Sequence, residues 1–202
     1  MDLHHEYKKL LNERGPQGWW PINSEYREGY KTPENDYEAW EICVGAILTQ
    51  NTNWGNVEKA LFNLRKEGKL GFESFLKMRT AALARLIRSS GYYNQKAVRL
   101  KEFARAVSLK GVGEFLKTVT REELLSFRGI GPETADSLLL YAGKRPFFVV
   151  DAYTRRLFGL DGSYENIRAL FEKQLPRDWT VYNEFHALIV AEGKCYRPLS
   201  KK

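Results

Sequence analysis

FRGIGPETADSLLLYAGKRPFFVVD, residues 127–151, is the stretch on which the reading of this chain turns. It sets a glycine turn, Gly129-Ile130-Gly131, ahead of a helical segment and places a carboxylate, Asp151, behind a short apolar run. Just upstream, Thr120 and Glu123 form a T-x-x-E capping box that starts a short helix, TREELLSF. Pro132 suits the first turn of the next helix, where a missing N–H costs nothing. Ala135, Leu138, Leu139 and Ala142 then recur at the spacing that buries one helical face. The expected local structure is helix, hairpin, helix. The two glycines let backbone N–H groups converge without a Cβ in the way, and the dipole of the following helix favours an anion there. Gly129, Ile130, Gly131 and Thr134 are therefore candidate contacts to a phosphate backbone. An ordinary tight turn between antiparallel helices is the other reading of an isolated G-I-G.

Outward from this stretch, nearly every periodic segment has helical spacing and none alternates as a strand does, so an all-α fold is expected. Helices are expected over 3–12, 37–48, 54–66, 72–77, 81–89 and 95–107. After the hairpin pair, others follow over 152–158, 164–174 and 180–192. Between the first two lies a long aromatic-rich connection, GPQGWWPINSEYREGYKTPEND, and loops of that length commonly serve a function.

The 202 residues are 43% hydrophobic and 13% aromatic, enough for one or two compact domains. A formal charge of +7, with 25 acidic residues interspersed among 32 basic ones, describes a folded basic surface. A polyanionic partner follows, with nucleic acid ahead of a membrane. No apolar run approaches the roughly 18 residues of a membrane span, and MDLHHEYKKLLNERG has no hydrophobic signal region, so a cytoplasmic protein is expected. Cys43 and Cys195 stand far apart without a C-x-x-C, which disfavours a zinc site; no metal is expected.

Four segments in this order, ILTQNTNW (47–54), GYYNQKAVRL (91–100), FRGIGPETAD (127–136) and VVDAYTRR (149–156), resemble the helix-hairpin-helix DNA glycosylases of the endonuclease III type. The likeness runs from about Trp19 to Lys194, and a WWP before an LTQNT segment is similar to the cluster-less 3-methyladenine glycosylases. The resemblance implies two helical lobes with a DNA-binding cleft between them. Residues 36–143 would make a central lobe, while 1–35 and 144–202 join as the second. It implies a monomer acting on double-stranded DNA that carries damaged bases.

Asp151 alone reads as a helix N-cap. Cleavage of an N-glycosidic bond builds positive charge on the sugar, which a partly desolvated carboxylate stabilises while it orients or deprotonates a water. The two roles are compatible. In the resembling family the essential aspartate lies eighteen positions after a hairpin residue, which is the interval from Glu133 to Asp151. Strand-cutting members carry a lysine nucleophile at that hairpin position. A carboxylate cannot form an imine, so a monofunctional glycosylase leaving an abasic site is implied. Glu133 reads either as a helix-start residue or as part of a base pocket, and Lys96 and Lys144 read as solvated, phosphate-facing side chains.

By the same resemblance Gln50, with Asn51, fills the gap left by a flipped base; a polar helix C-cap is the alternative. Trp19, Trp20 and Trp54 match positions that line the base pocket, with Pro21 as a rigid neighbour, although any one tryptophan could be core. Two adjacent tryptophans in a polar loop cannot both point inward easily. Stacking on a ring contributes about 1 to 3 kcal/mol per base. A base alkylated at N3 or N7 is cationic and is drawn to electron-rich rings. Lys194 matches a further pocket-side position or is a surface lysine. The endonuclease III branch holds an iron–sulfur cluster through four close cysteines beyond this point. GKCYRPLSKK (193–202) supplies one, so no cluster and no other cofactor is expected. The last helix is then anchored by Phe185, Leu188 and Ile189.

The implied activity is excision of alkylated bases, 3-methyladenine foremost. The alternatives are the same fold acting on uracil or thymine mismatches or cutting the strand, and a non-enzymatic DNA-binding module. Backbone binding alone needs no tryptophan pocket, which weighs against the last.

Overall fold

The computed structural model describes residues 2–27, 29 and 33–195. Part of the aromatic-rich connection, 28 and 30–32, and the tail 196–202 lie outside the described residues. The helices are α1 (Leu3–Arg14), α2 (Asp36–Leu48), α3 (Trp54–Lys66), α4 (Phe72–Lys77), α5 (Thr80–Leu86), α6 (Tyr93–Ser108), α7 (Val112–Thr118), α8 (Arg121–Ser126), α9 (Pro132–Ser137), α10 (Ala152–Phe158), α11 (Tyr164–Gln174) and α12 (Trp179–Cys195). No strand forms among the described residues; one isolated bridge joins Ile22 and Glu25.

Helix α2 is the axis of the first group of helices. Every residue from Glu38 to Leu48 is buried, the mark of a helix enclosed on all sides. It packs against α3, α6, α7, α9 and the turn that follows α9. Its two buried carboxylates pin the long loop. Glu41 Oε1 accepts from the Asn23 N–H at 2.9 Å and pairs with Arg65 at 2.7 Å, while Glu38 Oε2 accepts from the Glu34 N–H at 2.7 Å. In the second group α10 packs on α12, and α1 lies against α11 and α12. Phe185, Leu188 and Ile189 of α12 are fully buried, as expected.

A buried ion network ties the hairpin helices to α11. Arg121 of α8 grips Asp136 of α9 through two hydrogen bonds, from Nε at 2.6 Å and Nη2 at 3.1 Å, and the same Nη2 also donates to Glu165 of α11 at 2.7 Å. Bidentate pairing of this kind fixes orientation as well as charge.

Three details depart from the sequence expectation. Helix α7 was not expected: Val112, Phe115 and Leu116 bury one face, but Gly111 and Gly113 around its start read as a turn. The helix expected over 81–89 divides into α5 and a 3₁₀ turn, Arg88–Ser90. The second hairpin helix does not stay α-helical. It widens into a π-helical turn, Leu138–Ala142, in which the Gly143 N–H reaches back to the Leu138 carbonyl at 3.0 Å. Such turns are frequent at functional sites, and this one carries Tyr141.

Candidate active site

The hairpin is braced from behind and open in front. Thr120 and Glu123 form the expected capping box at the start of α8. Gly129 has φ 80°, and a Cβ on it would stand 2.1 Å from Arg99 Nε, so glycine is required on both counts. Its carbonyl accepts from Gln50 Nε2 at 2.8 Å, and the same amide nitrogen donates to Thr134 Oγ1 at 2.9 Å. Arg99 Nη1 closes the brace by donating to Gln50 Oε1 at 2.8 Å. Gly131 differs: its backbone is extended at φ −92°, and nothing lies within 4 Å of where its Cβ would be. That vacancy is open space, and no strain at this position calls for glycine. Ile130 and Thr134 bury their side chains, and the Ile130 N–H already donates to the Phe127 carbonyl at 3.0 Å, so of the two only Thr134, in the first turn of α9, has a backbone N–H to offer a phosphate.

Gln50 is thus no terminal polar cap of α2; Thr49 takes the C-cap and Gln50 spans to the hairpin. Asn51 follows it, exposed and left-handed at φ 53°.

Between the two groups of helices opens a cavity of about 450 Å³. Trp19, Trp20, Trp54, Glu133, Asp151 and Lys194 all line it, as do Gln50 and Thr134. The three indoles form one cluster, with ring centroids 4.7 Å apart for Trp19 and Trp20, 4.8 Å for Trp19 and Trp54, and 5.1 Å for Trp20 and Trp54. Both adjacent tryptophans reach the same wall. Trp20 is nearly buried, against Tyr141 and Gly45, whose missing Cβ leaves room for the ring; Trp19 is half-buried. Pro21 is buried and does not reach the cavity.

Asp151 divides its two oxygens between structure and solvent. Oδ1 caps α10, accepting from the Thr154 N–H at 2.7 Å and the Thr154 hydroxyl at 3.0 Å. Oδ2 faces His186 Nε2 at 3.5 Å, longer than a well-formed hydrogen bond, so this pairing is electrostatic first. The other imidazole nitrogen, Nδ1, lies 2.5 Å from the Tyr141 hydroxyl. A hydroxyl that donates to Nδ1 leaves the imidazole proton on Nε2, pointed at the carboxylate. Burial acts to raise the Asp151 carboxyl, but His186 and the Thr154 donors outweigh it and hold the group below its ordinary range. Glu133 goes the other way. It is exposed by surface area, yet the protein walls of the cavity crowd it, and that crowding, then the negative charge of Asp151, raises its carboxyl against an opposing effect of His186.

A family described as "HhH-GPD superfamily base excision DNA repair protein" matches residues 44–178. The chain belongs to this superfamily. A protein of Methanocaldococcus jannaschii described as a candidate DNA repair glycosylase is 44% identical over 95% of this chain and 87% of its own length. The endonuclease III of Thermotoga maritima is 31% identical over 72% of this chain and 70% of its own. Among solved structures, the 3-methyladenine DNA glycosylase of Helicobacter pylori bound to 1,N6-ethenoadenine superposes with a TM-score of 0.81 at 28% identity. The match covers 98% of this chain and all of that one. The protein is a DNA glycosylase of base excision repair. A purely DNA-binding module is thereby set aside.

Two lysines of this HhH-GPD glycosylase, Lys96 and Lys144, are placed differently from expectation. Lys96 is not solvated: it is 1% exposed, and its ammonium donates to the carbonyls of Leu48 at 2.9 Å and Ser90 at 2.6 Å. It closes the end of α2, where a cation meets the negative end of the helix dipole. Lys144 sits half-buried with its ammonium 5.6 Å from the Trp179 ring centroid, not on an open phosphate-facing surface. Lys194 is exposed at the cavity rim. Sequence reasoning missed His186, Tyr141 and Arg99. The signal for His186 was available, because a histidine inside the buried run EFHALIV needs a polar partner. No helix among the described residues is long and apolar enough to cross a membrane.

Proposed function

We propose that this glycosylase flips an alkylated base, 3-methyladenine foremost, out of double-stranded DNA and hydrolyses its glycosidic bond, leaving an abasic site. The observation that carries this reading is one cavity lined both by Asp151, whose Oδ2 is not used in the helix cap, and by a cluster of three indoles. The rings offer π faces to a cationic base. Asp151 stabilises the positive charge that grows on the sugar and orients the attacking water. His186 is its positioning partner.

The backbone N–H groups of Gly129, Gly131 and Thr134 hold a phosphate, Ile130 shapes the turn through its own bond to the Phe127 carbonyl, and Gln50 and Asn51 enter the stack where the base has left. The preset hydrogen bonds of Gln50 support this, because an amide already fixed loses less freedom on binding. The α2-centred helices, about residues 36–143, act as one lobe, and both chain ends form the other. A carboxyl at position 133 supports chemistry without an imine. An iron–sulfur cluster needs four thiolates; Cys43 in the core and Cys195 at the end of α12 do not meet that need. The reading is completed by a monomer at work in the cytoplasm.

The likeness to the H. pylori enzyme supports alkylated bases over mismatches. A panel of duplexes containing 3-methyladenine, 7-methylguanine, G·U or G·T tests this: release from the methylated duplexes is expected to exceed release from the mismatches by at least about 10²-fold. Preferential release of uracil or thymine would overturn it.

A further inference from the structure

We propose that Glu133 is a second catalytic carboxyl of this cavity, a general acid that protonates the departing base and so extends excision to neutral purine lesions. The inference rests on the hydrolytic reading above and adds a substrate class to it.

Asp151 and Glu133 reach the same 450 Å³ cavity from the starts of two different helices, α10 and α9. Their surroundings treat them oppositely. Asp151 has the Thr154 N–H and hydroxyl on one oxygen and His186 facing the other. Among the described residues, Glu133 has no hydrogen-bond donor and no ion-pair partner for its carboxyl. Its contact to Ser137 is made by its backbone carbonyl. Two like charges in one walled space are separated most cheaply when one carboxyl keeps a proton, and the residue without donors is the one that keeps it. Its raised proton affinity, beside the lowered one of Asp151, agrees. A pair of acids pushed apart in this way sorts into an acid and a base.

Other titratable groups share the space. His186 and Lys194 come from α12, Tyr153 from α10 and Tyr141 from the π turn, with Tyr26 across on the aromatic loop. Of these, His186 acts on Glu133 and opposes the raised affinity, while its ion pair, at 3.5 Å, is with the Asp151 carboxylate. Tyr164 of α11 feels the Glu133 charge and keeps its own proton.

The chemistry separates two kinds of base. In a base methylated at N3 or N7, the electron pair of the breaking C1′–N9 bond neutralises a ring that is already positive, so no proton is needed. In a neutral purine the same pair would leave an anion. Here the Glu133 O–H proton passes to a ring nitrogen as the bond breaks, and the base departs neutral. Water adds its oxygen to C1′ and gives a proton to Asp151. Exchange with solvent then returns both carboxyls to their starting states.

The test uses the full chain and duplexes carrying a single deoxyinosine or a single 7-methylguanine, each in single-turnover release. Glu133→Gln keeps the shape and removes the acidic proton. Hypoxanthine release is expected to fall by about 10²-fold or more, and 7-methylguanine release by less than about tenfold. Wild-type hypoxanthine release should decline as pH rises through the Glu133 titration, and that alkaline limb should vanish in Glu133→Gln. Glu133→Asp, which restores an acid, should recover part of the loss. Equal losses on both substrates, or an alkaline limb that survives Glu133→Gln, would overturn the proposal. So would a wild-type enzyme that releases 7-methylguanine but no hypoxanthine, which leaves the hydrolytic reading intact. Release of neither base by the wild type would sink both.

Discussion

The hairpin and the cavity hold their critical atoms by opposite means. At Gly129 and Gly131 the useful groups are backbone N–H donors, presented outward where side chains are missing and braced from behind by Gln50 and Arg99. In the cavity the useful group is one side-chain oxygen, presented inward and set by the local cap to Thr154 on α10 together with a neighbour far away in sequence, His186 on α12, which Tyr141 on the π turn holds in turn. In the proposed function the first arrangement grips any duplex, since phosphates carry no sequence. The second decides what happens to a base once it is out. Binding and chemistry should therefore separate under substitution.

The sharpest separation comes at Asp151. Asn can still cap α10, so Asp151→Asn should fold and bind a methylated duplex as the wild type does, while base release falls on the order of 10³-fold. Gel-shift titration beside single-turnover release measures both, and a parallel loss of binding would show that grip and chemistry are not separable here. Next in size is His186→Phe. Removing the imidazole takes away the main influence that holds the Asp151 carboxyl low, so its affinity for protons rises. Asp151 must be ionised to act, and a group with a lowered value loses function as pH falls through that value. The acid limb of the pH–rate profile should therefore move to higher pH, with release at neutral pH reduced on the order of tenfold. An unmoved limb would deny His186 its positioning role.

The two glycines break the comparison inside the hairpin itself. Gly129→Ala meets both a left-handed backbone and Arg99, and should lower thermal stability by roughly 1 to 3 kcal/mol. Gly131→Ala meets open space and should leave stability within about 0.5 kcal/mol, but it puts a methyl where a phosphate approaches and weakens DNA binding several-fold. Melting curves and salt-dependent binding curves distinguish the pair.

The smallest effect is at Lys96, whose proton affinity is lowered to about 8 by burial and then by Arg99. Between about 8 and its ordinary 10.5 the unfolded chain binds the extra proton, so this site adds stability as pH rises through that window. Lys96→Met should flatten that rise in denaturant titrations across the window.

The sequence carried the hairpin almost completely, because its parts are local. A capping box, a positive-φ glycine, a proline at the first helical position and a buried face all act within about twenty residues. The helices were legible where their apolar spacing ran unbroken, and α7 was lost because Gly113 stands inside its first turn. The cavity was legible in its members but not in its wiring. Asp151 and the tryptophans could be named, whereas His186 and Tyr141 meet only after α12 has packed on α10 and the π turn. Lys96 was misread for the same reason. Its partners are carbonyls 48 and 6 positions away, which no local pattern reveals.

The account turns on hydrolysis by Asp151 with a carboxyl, not an amine, at position 133. A time course on one duplex containing a single 7-methylguanine tests it directly, with samples split between alkali, borohydride and neither. Abasic sites should accumulate, with strand breaks appearing only after alkali and no borohydride-trapped adduct at any time. Breaks before alkali together with a trapped adduct, lost in Lys194→Ala, would contradict it and assign the cavity an amine nucleophile.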